Sequence, residues 1–326
     1  MIYIVNDATD PYFNLALEEY FLKHAQIDGD VLILWQNEPV IVVGKNQDPL
    51  AEINLDYVRE QGIKVVRRIT GGGAVYHDAG NINFSLIRNH DGDTRFAFFA
   101  EPVLRCLKDL GVDAVFSGRN DILVDGRKIS GNAQCLYKSK VLHHGTLLWQ
   151  SDLNVLGKAL NPQPEKMAAR GVKSVKSRVA NISGYLSEPI TAADFKRRLA
   201  AEFNRDLTRY EPTNKELEAI ERLADSKYRT DVWNYGVLPP TDIVRKKRCQ
   251  GGLVEARLSI SGGVVRNIIL LGDFFEGNSP LEQLTQLLQG RLFNRCAVEE
   301  ALANITIADY MQNVGKQEFL DLLFDE

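Results

Sequence analysis

Residues 67–78 read RRITGGGAVYHD, a glycine triplet between two segments of strand character. The strand pattern of residues 64–67 leads into the glycines, and residues 74–76 resume a strand after them. Glycine lets the backbone adopt positive φ and leaves no Cβ between the backbone and a ligand. Two arginines beside free backbone N–H groups suit an anion such as phosphate. A tight hairpin with two solvated arginines fits the same residues, so this stretch alone leaves both interpretations open.

The composition is that of a globular protein with one or two domains. The 326 residues are 44% hydrophobic and 25% charged, which provides enough apolar side chains for a sizeable core. The net charge of −4 gives no general attraction to nucleic acid or anionic membranes, so a local cluster must hold any anionic ligand. No apolar run reaches membrane-spanning length, and four scattered cysteines favour a reducing compartment. We therefore expect a cytoplasmic protein.

Segments with the strand period and segments with the helix period both occur along the chain, and we expect a fold of the α+β class. Two short apolar runs, residues 31–35 and 40–43, are predicted to pair as a hairpin. A second hairpin is predicted around Asp125-Gly126, because this pair favours a two-residue turn between strands.

Proline and glycine at residues 236–240 mark the predicted domain boundary. We place it so that residues 1–243 form a large domain and residues 244–326 a small α+β domain. The basic run at residues 245–248 lies at this junction. It is expected to be either a solvated linker or a surface for an acidic partner.

Two further segments carry candidate functional residues. Lys128 is followed within five positions by Ser130, Gly131 and Ala133, whose small side chains leave room for a ligand. His143 and His144 are adjacent on a predicted strand and must point to opposite faces, so at most one of them faces a given site. No carboxylate or cysteine stands at metal-ligand spacing from them, which argues against a histidine metal site.

Several segments together resemble the lipoate–protein ligase family. The resemblance runs in order along nearly the whole chain and rests on residues 67–78, 80–83, 118–121, 128–133, 143–148 and 173–181. It implies a biotin/lipoate ligase-like fold, with a large catalytic domain of mixed β-sheets flanked by helices and a small α+β C-terminal accessory domain. It also implies an ATP-dependent reaction in which lipoate becomes lipoyl-AMP and is then transferred to a lysine. The acceptors implied are apo lipoyl domains of 2-oxoacid dehydrogenase E2 subunits and the glycine cleavage H protein.

The resemblance also implies roles for individual residues, with Lys128 as the catalytic residue. The implied ATP-binding residues are Arg68, Gly73, Ala74, Val75, Tyr76, Asn120, Asp121 and Lys128, with Asp121 beside Mg²⁺. The implied lipoate-binding residues are Arg68, His77, Lys128 and His144. The implied adenylate-covering loop carries Lys173, Lys176 and Arg178. Cations and N–H donors are what this chemistry needs, because a carboxylate must attack a phosphate while a third anion departs.

Two alternatives to a ligase remain at this stage. An octanoyl or lipoyl transferase on the same fold would form a cysteine acyl-enzyme without ATP, and Cys135 is the candidate nucleophile. A buried structural role for Cys135 is favoured, because nothing near it in the sequence supplies a base. The other alternative is a non-catalytic protein that binds lipoate, since a fold does not guarantee an activity.

Overall fold

The computed structural model describes residues 1–89, 94–160, 178–236 and 239–324. The chain divides into two compact units. The first comprises Met1–Val43, Pro49–Arg67 and Ala74–Asn234, and the second comprises Gly44–Asp48, Arg68–Gly73 and Tyr235–Glu326. The glycine loop therefore groups with C-terminal residues rather than with the strands on either side of it.

The first unit contains a large mixed sheet and a small one. The strands in chain order are β1 (Ile2–Ile4), β2 (Val31–Trp35), β3 (Val40–Val43), β4 (Lys64–Arg67), β5 (Val75–His77), β6 (Asn81–Asn89), β7 (Val115–Ser117), β8 (Asp121–Val124), β9 (Arg127–Tyr137), β10 (Lys140–Leu148) and β11 (Thr208–Tyr210). The eight-stranded sheet has the order β11-β1-β2-β6-β10-β9-β8-β7, and the three-stranded sheet has the order β4-β3-β5. These mixed sheets confirm the predicted fold class.

Helices connect these strands. They are α1 (Pro11–Lys23), α2 (Pro49–Glu52), α3 (Leu55–Glu60), α4 (Phe96–Asp109), α5 (Leu153–Ala159), α6 (Ala192–Phe203), α7 (Asn214–Leu223) and α8 (Asp231–Tyr235). Asp10 caps α1 and Pro11 occupies its first turn, as the sequence predicts. Apolar residues of α4 and α6 form one core with the sheet, including Val103, Leu199 and Phe84. In the parts of the chain that the structure describes, no helix is both long and apolar enough to cross a membrane.

The predicted hairpin of residues 31–35 with 40–43 is wrong. β2 pairs with β1 and β6, whereas β3 pairs with β4 and β5 in the other sheet. Between the two strands lies Asn37, which is fully buried and hydrogen-bonded to Asn14 and His77. Both strands are buried on both faces, so their apolar pattern identifies them as strands without indicating their partners. The hairpin around Asp125-Gly126 is confirmed.

The second unit contains an antiparallel sheet in the order β12-β13-β14, with helices packed on it. Its elements are β12 (Ile243–Cys249), β13 (Gly252–Ser261), β14 (Val264–Gly272), α9 (Leu281–Leu288), α10 (Arg295–Ala301) and α11 (Lys316–Phe324). The basic residues 245–248 belong to β12 rather than to a linker. Lys246, Lys247 and Arg248 form ion pairs with Glu255, Asp321 and Asp273 of the same unit. Their acidic partners are thus already present in the chain.

Candidate functional site

Strand β10 lies between β6 and β9, and its side chains alternate between two chemically different faces of the large sheet. One face, which we call the core face, carries Phe84, Asn132, His143 and Gly145 and is covered by α4 and α6. Phe84 and His143 contact these helices, which shows that the core face lies under α4 and α6. The opposite face, which we call the polar face, carries Asn83, Ser85, Gly131, His144 and Thr146.

Lys128 lies on the polar face. A Cβ on Gly131 would stand 2.7 Å from Lys128 Nζ and 2.9 Å from Cε, so the lysine side chain runs directly over this glycine. Thr146 fixes Gly131 from the neighbouring strand, accepting its backbone N–H at 3.2 Å. Lys128 Nζ also lies 2.8 Å from Asp121 Oδ1, and the two side chains are 35% and 34% exposed. Because both side chains are partly exposed, a ligand can reach the ammonium.

Asn120 is held beside this pair by a reciprocal set of hydrogen bonds with Asn132. Asn120 Nδ2 donates to the Asn132 carbonyl at 2.7 Å, and Asn132 donates to the Asn120 carbonyl from its backbone N–H at 2.9 Å and from Nδ2 at 3.0 Å. The turn that carries Asn120 and Asp121 is thereby attached to β9. The structure thus brings three of the sequence-predicted residues together, namely Asn120, Asp121 and Lys128.

Behind Asn132, on the core face, lies His143. Its ring stacks on Phe99 at a centroid distance of 4.6 Å and an interplanar angle of 6°. Gln134 Nε2 lies 2.8 Å from His143 Nδ1, and Asn132 Oδ1 lies 3.2 Å from Nε2. Complete burial holds the pKa of His143 well below its usual value. The ring is therefore neutral, and the partners assign its proton to Nε2, which donates to Asn132.

His144, on the polar face, belongs to a buried network with Glu18 of α1. His144 Nδ1 lies 3.0 Å from Glu18 Oε1, and the carboxylate also accepts from the Ser85 hydroxyl. Trp35 Nε1 in turn donates to Ser85 Oγ at 2.8 Å. Glu18 is only 1% exposed, so these donors are what make its burial tolerable. Glu18 is not among the site residues predicted from the sequence, although an acidic residue among the apolar positions of an amphipathic helix is a recognisable signal.

The residues after the glycine loop lie on or next to the small sheet. Tyr76 and His77 in β5 are 4% and 3% exposed. Burial raises the pKa of Tyr76 well above its ordinary value, so its phenol stays protonated. His77 Nδ1 lies 3.1 Å from Asn37 Nδ2, and Asn37 is in turn held by Asn14. Ala74 and Val75, which directly precede Tyr76, are half-buried.

Arg67 does not share the anion-binding role that the two arginines were expected to have. Its Nε donates to the carbonyl of Trp233 at 2.8 Å, and a terminal nitrogen donates to the carbonyl of Asn234 at 3.0 Å. The Arg67 backbone is held as well, since its N–H donates to Asn234 Oδ1 and its carbonyl accepts from Trp233 Nε1. Arg67 therefore anchors the strand that enters the glycine loop.

Arg68 belongs to the second unit and organises the loop itself. Its Nε donates to Thr70 Oγ1 at 2.9 Å, and one terminal nitrogen donates to the carbonyls of Gly71 at 2.7 Å and Gly73 at 2.8 Å. Gly72 has a φ of 89°, a conformation that favours glycine. Arg68 is 6% exposed, so the loop is wrapped around a cation. The Gly72 N–H already donates to the Phe274 carbonyl at 3.3 Å.

The remaining predicted residues are those of the adenylate-covering loop. Lys173 and Lys176 fall outside the described residues. Arg178 is exposed and is followed by Val179, which forms a parallel bridge with Lys128. Within the described ranges, no group of three His, Cys, Asp or Glu residues is arranged to hold a metal ion. Asp121 thus offers one carboxylate, which suits a metal that keeps water and phosphate ligands.

Known protein families match the chain in both units. The family described as the lipoyl protein ligase A/B catalytic domain matches residues 10–204, and the bacterial lipoate protein ligase C-terminus matches residues 239–323. Lipoate-protein ligase LplJ of Bacillus subtilis (strain 168) is 41% identical, with 99% of this chain and 100% of the relative aligned. Lipoate–protein ligase 1 of Staphylococcus aureus (strain Mu50) is 39% identical over 98% of each chain.

Solved structures of similar proteins agree. LipL1 of P. falciparum, in complex with lipoate, has a TM-score of 0.79 and 26% identity and aligns over 98% of this chain and 97% of its own. A lipoate-protein ligase A bound with ATP has a TM-score of 0.65 and 29% identity, covering 73% of this chain and 99% of its own. A bi-partite ligase from Thermoplasma acidophilum, studied with its E2 lipoyl domain, has a TM-score of 0.66 and 30% identity, covering 74% and 98%.

Proposed function

This chain belongs to the lipoate–protein ligase family, and from that premise we propose how its own residues carry out ATP-dependent lipoate ligation. The protein activates lipoate to lipoyl-AMP with release of pyrophosphate, and then transfers the lipoyl group to a lysine of an acceptor protein. The residue assignment rests on the position of the Lys128 side chain. It lies over Gly131 on the polar face, and its Nζ is 2.8 Å from Asp121 Oδ1. It offers a positive charge that two anions can share.

In the first step, an oxygen of the lipoate carboxylate attacks the α-phosphorus of ATP, and the bond to pyrophosphate breaks. Lys128 is the catalytic residue of this step, because its ammonium bridges the attacking carboxylate and the α-phosphate. A lysine acts there as a point charge, which suits two partners that move relative to each other. The ammonium reduces the repulsion between the anions and stabilises the charge that develops between them.

The nucleotide is held by Arg68 and by the backbone of Gly73, Ala74, Val75 and Tyr76. Support for this assignment comes from the hydrogen bonds of Arg68 to its own loop, which give the loop a cation at its centre. Asn120 lies at the adenine, supported by the reciprocal amide contacts that fix it to Asn132.

Lipoate is bound by Arg68, Lys128, His77 and His144. The two histidines are buried and held by hydrogen bonds, His77 by Asn37 and His144 by Glu18. Fixed rings of this kind give a binding site a rigid wall, which favours recognition of one acyl chain over others.

Asp121 would hold Mg²⁺ through its one carboxylate, and the bound ion would neutralise phosphate charge. A single protein carboxylate is sufficient, since Mg²⁺ in nucleotide sites takes its other ligands from phosphates and water. Lys173, Lys176 and Arg178 belong to the segment that covers the adenylate and keeps water from the mixed anhydride.

In the second step, a lysine amine of the acceptor attacks the acyl carbon of lipoyl-AMP. The carbon–nitrogen bond forms, the bond to AMP breaks, and the amine loses a proton to solvent. No enzyme nucleophile is required, because the anhydride is already activated, and positioning of the amine does much of the work. Cys135 is half-buried in β9 and has no part in this scheme.

The acceptors are apo lipoyl domains of 2-oxoacid dehydrogenase E2 subunits and the glycine cleavage H protein. Residues 1–243 form the catalytic domain and residues 244–326 the accessory domain, a division supported by the separate family matches at residues 10–204 and 239–323. A cytoplasmic location is supported by four cysteines that are all unpaired thiols.

Lipoate-dependent exchange of labelled pyrophosphate into ATP tests the first step, and mass spectrometry of an apo lipoyl domain tests the second. We expect both activities in the wild-type protein and in Cys135→Ser. Exchange that proceeds without lipoate, or that is absent, would exclude the ligase. Loss of acyl transfer only in Cys135→Ser would favour a transferase that forms a cysteine acyl-enzyme.

A further inference from the structure

Asn83 has a buried amide group that the fold leaves half satisfied. The side chain lies on the polar face in β6 and is 2% exposed. Its Oδ1 accepts a hydrogen bond from Asn81 Nδ2 at 2.9 Å. Its Nδ2 has no hydrogen-bond partner among the residues that the structure describes, and neither has Asn81 Oδ1 at the other end of the pair. A buried donor without an acceptor is costly, so its retention indicates a partner that arrives from outside the chain.

In the structure Asn81 donates to Asn83 Oδ1, so the opposite end of the Asn83 amide presents its N–H groups. Asn81 is thus a positioning residue for Asn83. What Asn83 offers to a ligand is a pair of donors, which suits a carbonyl or carboxylate oxygen.

Asn83 lies in one row with Lys128 across the large sheet. It stands opposite Thr146 of β10, and Thr146 binds Gly131 of β9, over which Lys128 runs. Neighbouring strands are about 4.8 Å apart, so Asn83 and Gly131 are separated by roughly 10 Å. Thr146 and Gly131, which lie between Asn83 and the Lys128 ammonium, are partly exposed. The polar face is therefore open to solvent at this point. A carboxyl group bound over Thr146 would have the Lys128 ammonium at one end of the row and the Asn83 amide at the other.

We propose that Asn83 donates a hydrogen bond from Nδ2 to the carbonyl oxygen of the lipoyl group, opposite Lys128. This inference rests on the proposed function and adds a residue to the same site. Of the two lipoate oxygens, the one near Lys128 attacks phosphorus and becomes the bridging oxygen of lipoyl-AMP. The other remains the carbonyl oxygen and faces Asn83.

The donor acts most strongly in the transfer step. When the acceptor amine attacks the acyl carbon, the carbonyl π-electron pair moves onto this oxygen. The pair returns as the bond to AMP breaks and AMP leaves with its electrons, while the nitrogen releases a proton to solvent. A donor already placed at that oxygen is worth more to the anionic transition state than to the neutral adenylate. In adenylation the oxygen carries less new charge, so Asn83 only orients the carboxylate there.

The test compares the two half-reactions in Asn83→Ala and Asn83→Asp. Chemically prepared lipoyl-AMP and an apo lipoyl domain are used to measure transfer, and lipoate-dependent ATP–pyrophosphate exchange is used to measure adenylation. Removing one oxyanion donor typically costs about 100-fold or more, so we expect transfer by Asn83→Ala to fall by about 100-fold. Exchange should fall by less than about 10-fold. Asn83→Asp keeps the shape and loses the donor, so it should transfer no better than the alanine variant.

Asn89→Ala is the matched control, because Asn89 is exposed at the far end of the same strand. It should transfer at the wild-type rate. Transfer within about threefold of wild type by folded Asn83→Ala would overturn the proposal. So would equal losses in both half-reactions together with a lower unfolding midpoint, since that pattern marks a structural role. A wild-type protein without lipoate-dependent exchange would instead defeat the proposed function, and the inference would fall with it.

Discussion

The core face and the polar face of strand β10 show how one strand supplies both stability and chemistry. His143 and His144 are adjacent in the chain, yet His143 stacks on Phe99 and donates to an asparagine in the core. His144 faces the other way and binds the buried carboxylate of Glu18. The side-chain period of two in a strand makes this separation, since neighbouring residues point to opposite faces.

The glycines of the two faces differ in the same way. On the core face, a Cβ at Gly145 would collide with Asn132 Oδ1 and with the ring of Phe84. On the polar face, a Cβ at Gly131 would meet only the end of the Lys128 side chain and, at 3.8 Å, Asp121 Oδ1. The Cβ at Gly145 would collide with the packed interior, whereas the Cβ at Gly131 would collide with a flexible lysine side chain. We therefore expect core-face substitutions to change the free energy of unfolding and polar-face substitutions to change the reaction rate.

The largest effect is expected from Lys128→Ala on the polar face. Loss of this charge-assisted contact should raise the activation free energy of adenylation by roughly 3–4 kcal/mol, which is two to three decades in rate. The free energy of unfolding should change by less than about 1 kcal/mol, because the Lys128–Asp121 pair is exposed. Pyrophosphate exchange and urea denaturation measure the two quantities. Lys138→Ala, at the exposed turn after β9, is the control and should keep full activity. Near-normal exchange by a folded Lys128→Ala would remove Lys128 from the mechanism.

The next effect is expected from Gly145→Ala on the core face. The new methyl group has no space beside Asn132 and Phe84, and overpacking of this kind should lower the free energy of unfolding by about 2–3 kcal/mol. Urea denaturation at neutral pH measures the change. An unfolding free energy equal to that of wild type would mean that the core face relaxes freely, and the contrast between the faces would then disappear.

Gly131→Ala is the matched substitution on the polar face. Its methyl group would displace the Lys128 ammonium, and a misplaced catalytic group should slow adenylation by about 10- to 30-fold. Because a flexible side chain can move aside, the free energy of unfolding should stay within about 0.5 kcal/mol of wild type. Pyrophosphate exchange and urea denaturation again separate the two effects. A stability loss as large as that of Gly145→Ala would contradict the assignment of Lys128 to an open face.

The smallest effect is the pH dependence that His143 gives to the core face. Burial lowers its pKa in the folded state, so below about pH 6.5 the unfolded chain takes up a proton that the folded protein does not. Stability is therefore lost as pH falls through the unfolded pKa. Between pH 7.5 and 5.5 this group should cost about 1.4 kcal/mol. Urea midpoints of wild type and His143→Gln should diverge by that amount in their pH dependence. Parallel curves would show that His143 has the same pKa in the folded and unfolded states.

Much of this arrangement is predictable from the sequence, because local patterns specify local structure. The glycine triplet, the Asp125-Gly126 turn and the capped helix α1 are all found where residue preferences indicate them. The opposite orientations of His143 and His144 follow from strand alternation alone. The ligase function follows from motifs that occur in the family's order. Each of these features depends on residues that are close in the chain.

Tertiary structure alone decided which residues meet. Arg67 looks equivalent to Arg68 in the sequence, yet its partners Trp233 and Asn234 lie more than 160 positions away. β2 and β3 look like a hairpin, yet they join different sheets. Lys128 reaches its position over Gly131 at a register irregularity between β8 and β9. A residue's own neighbours specify its secondary structure and the face to which it points. Its partners depend on how distant elements bury their apolar surface and satisfy their polar groups, and that is settled only when the whole domain packs.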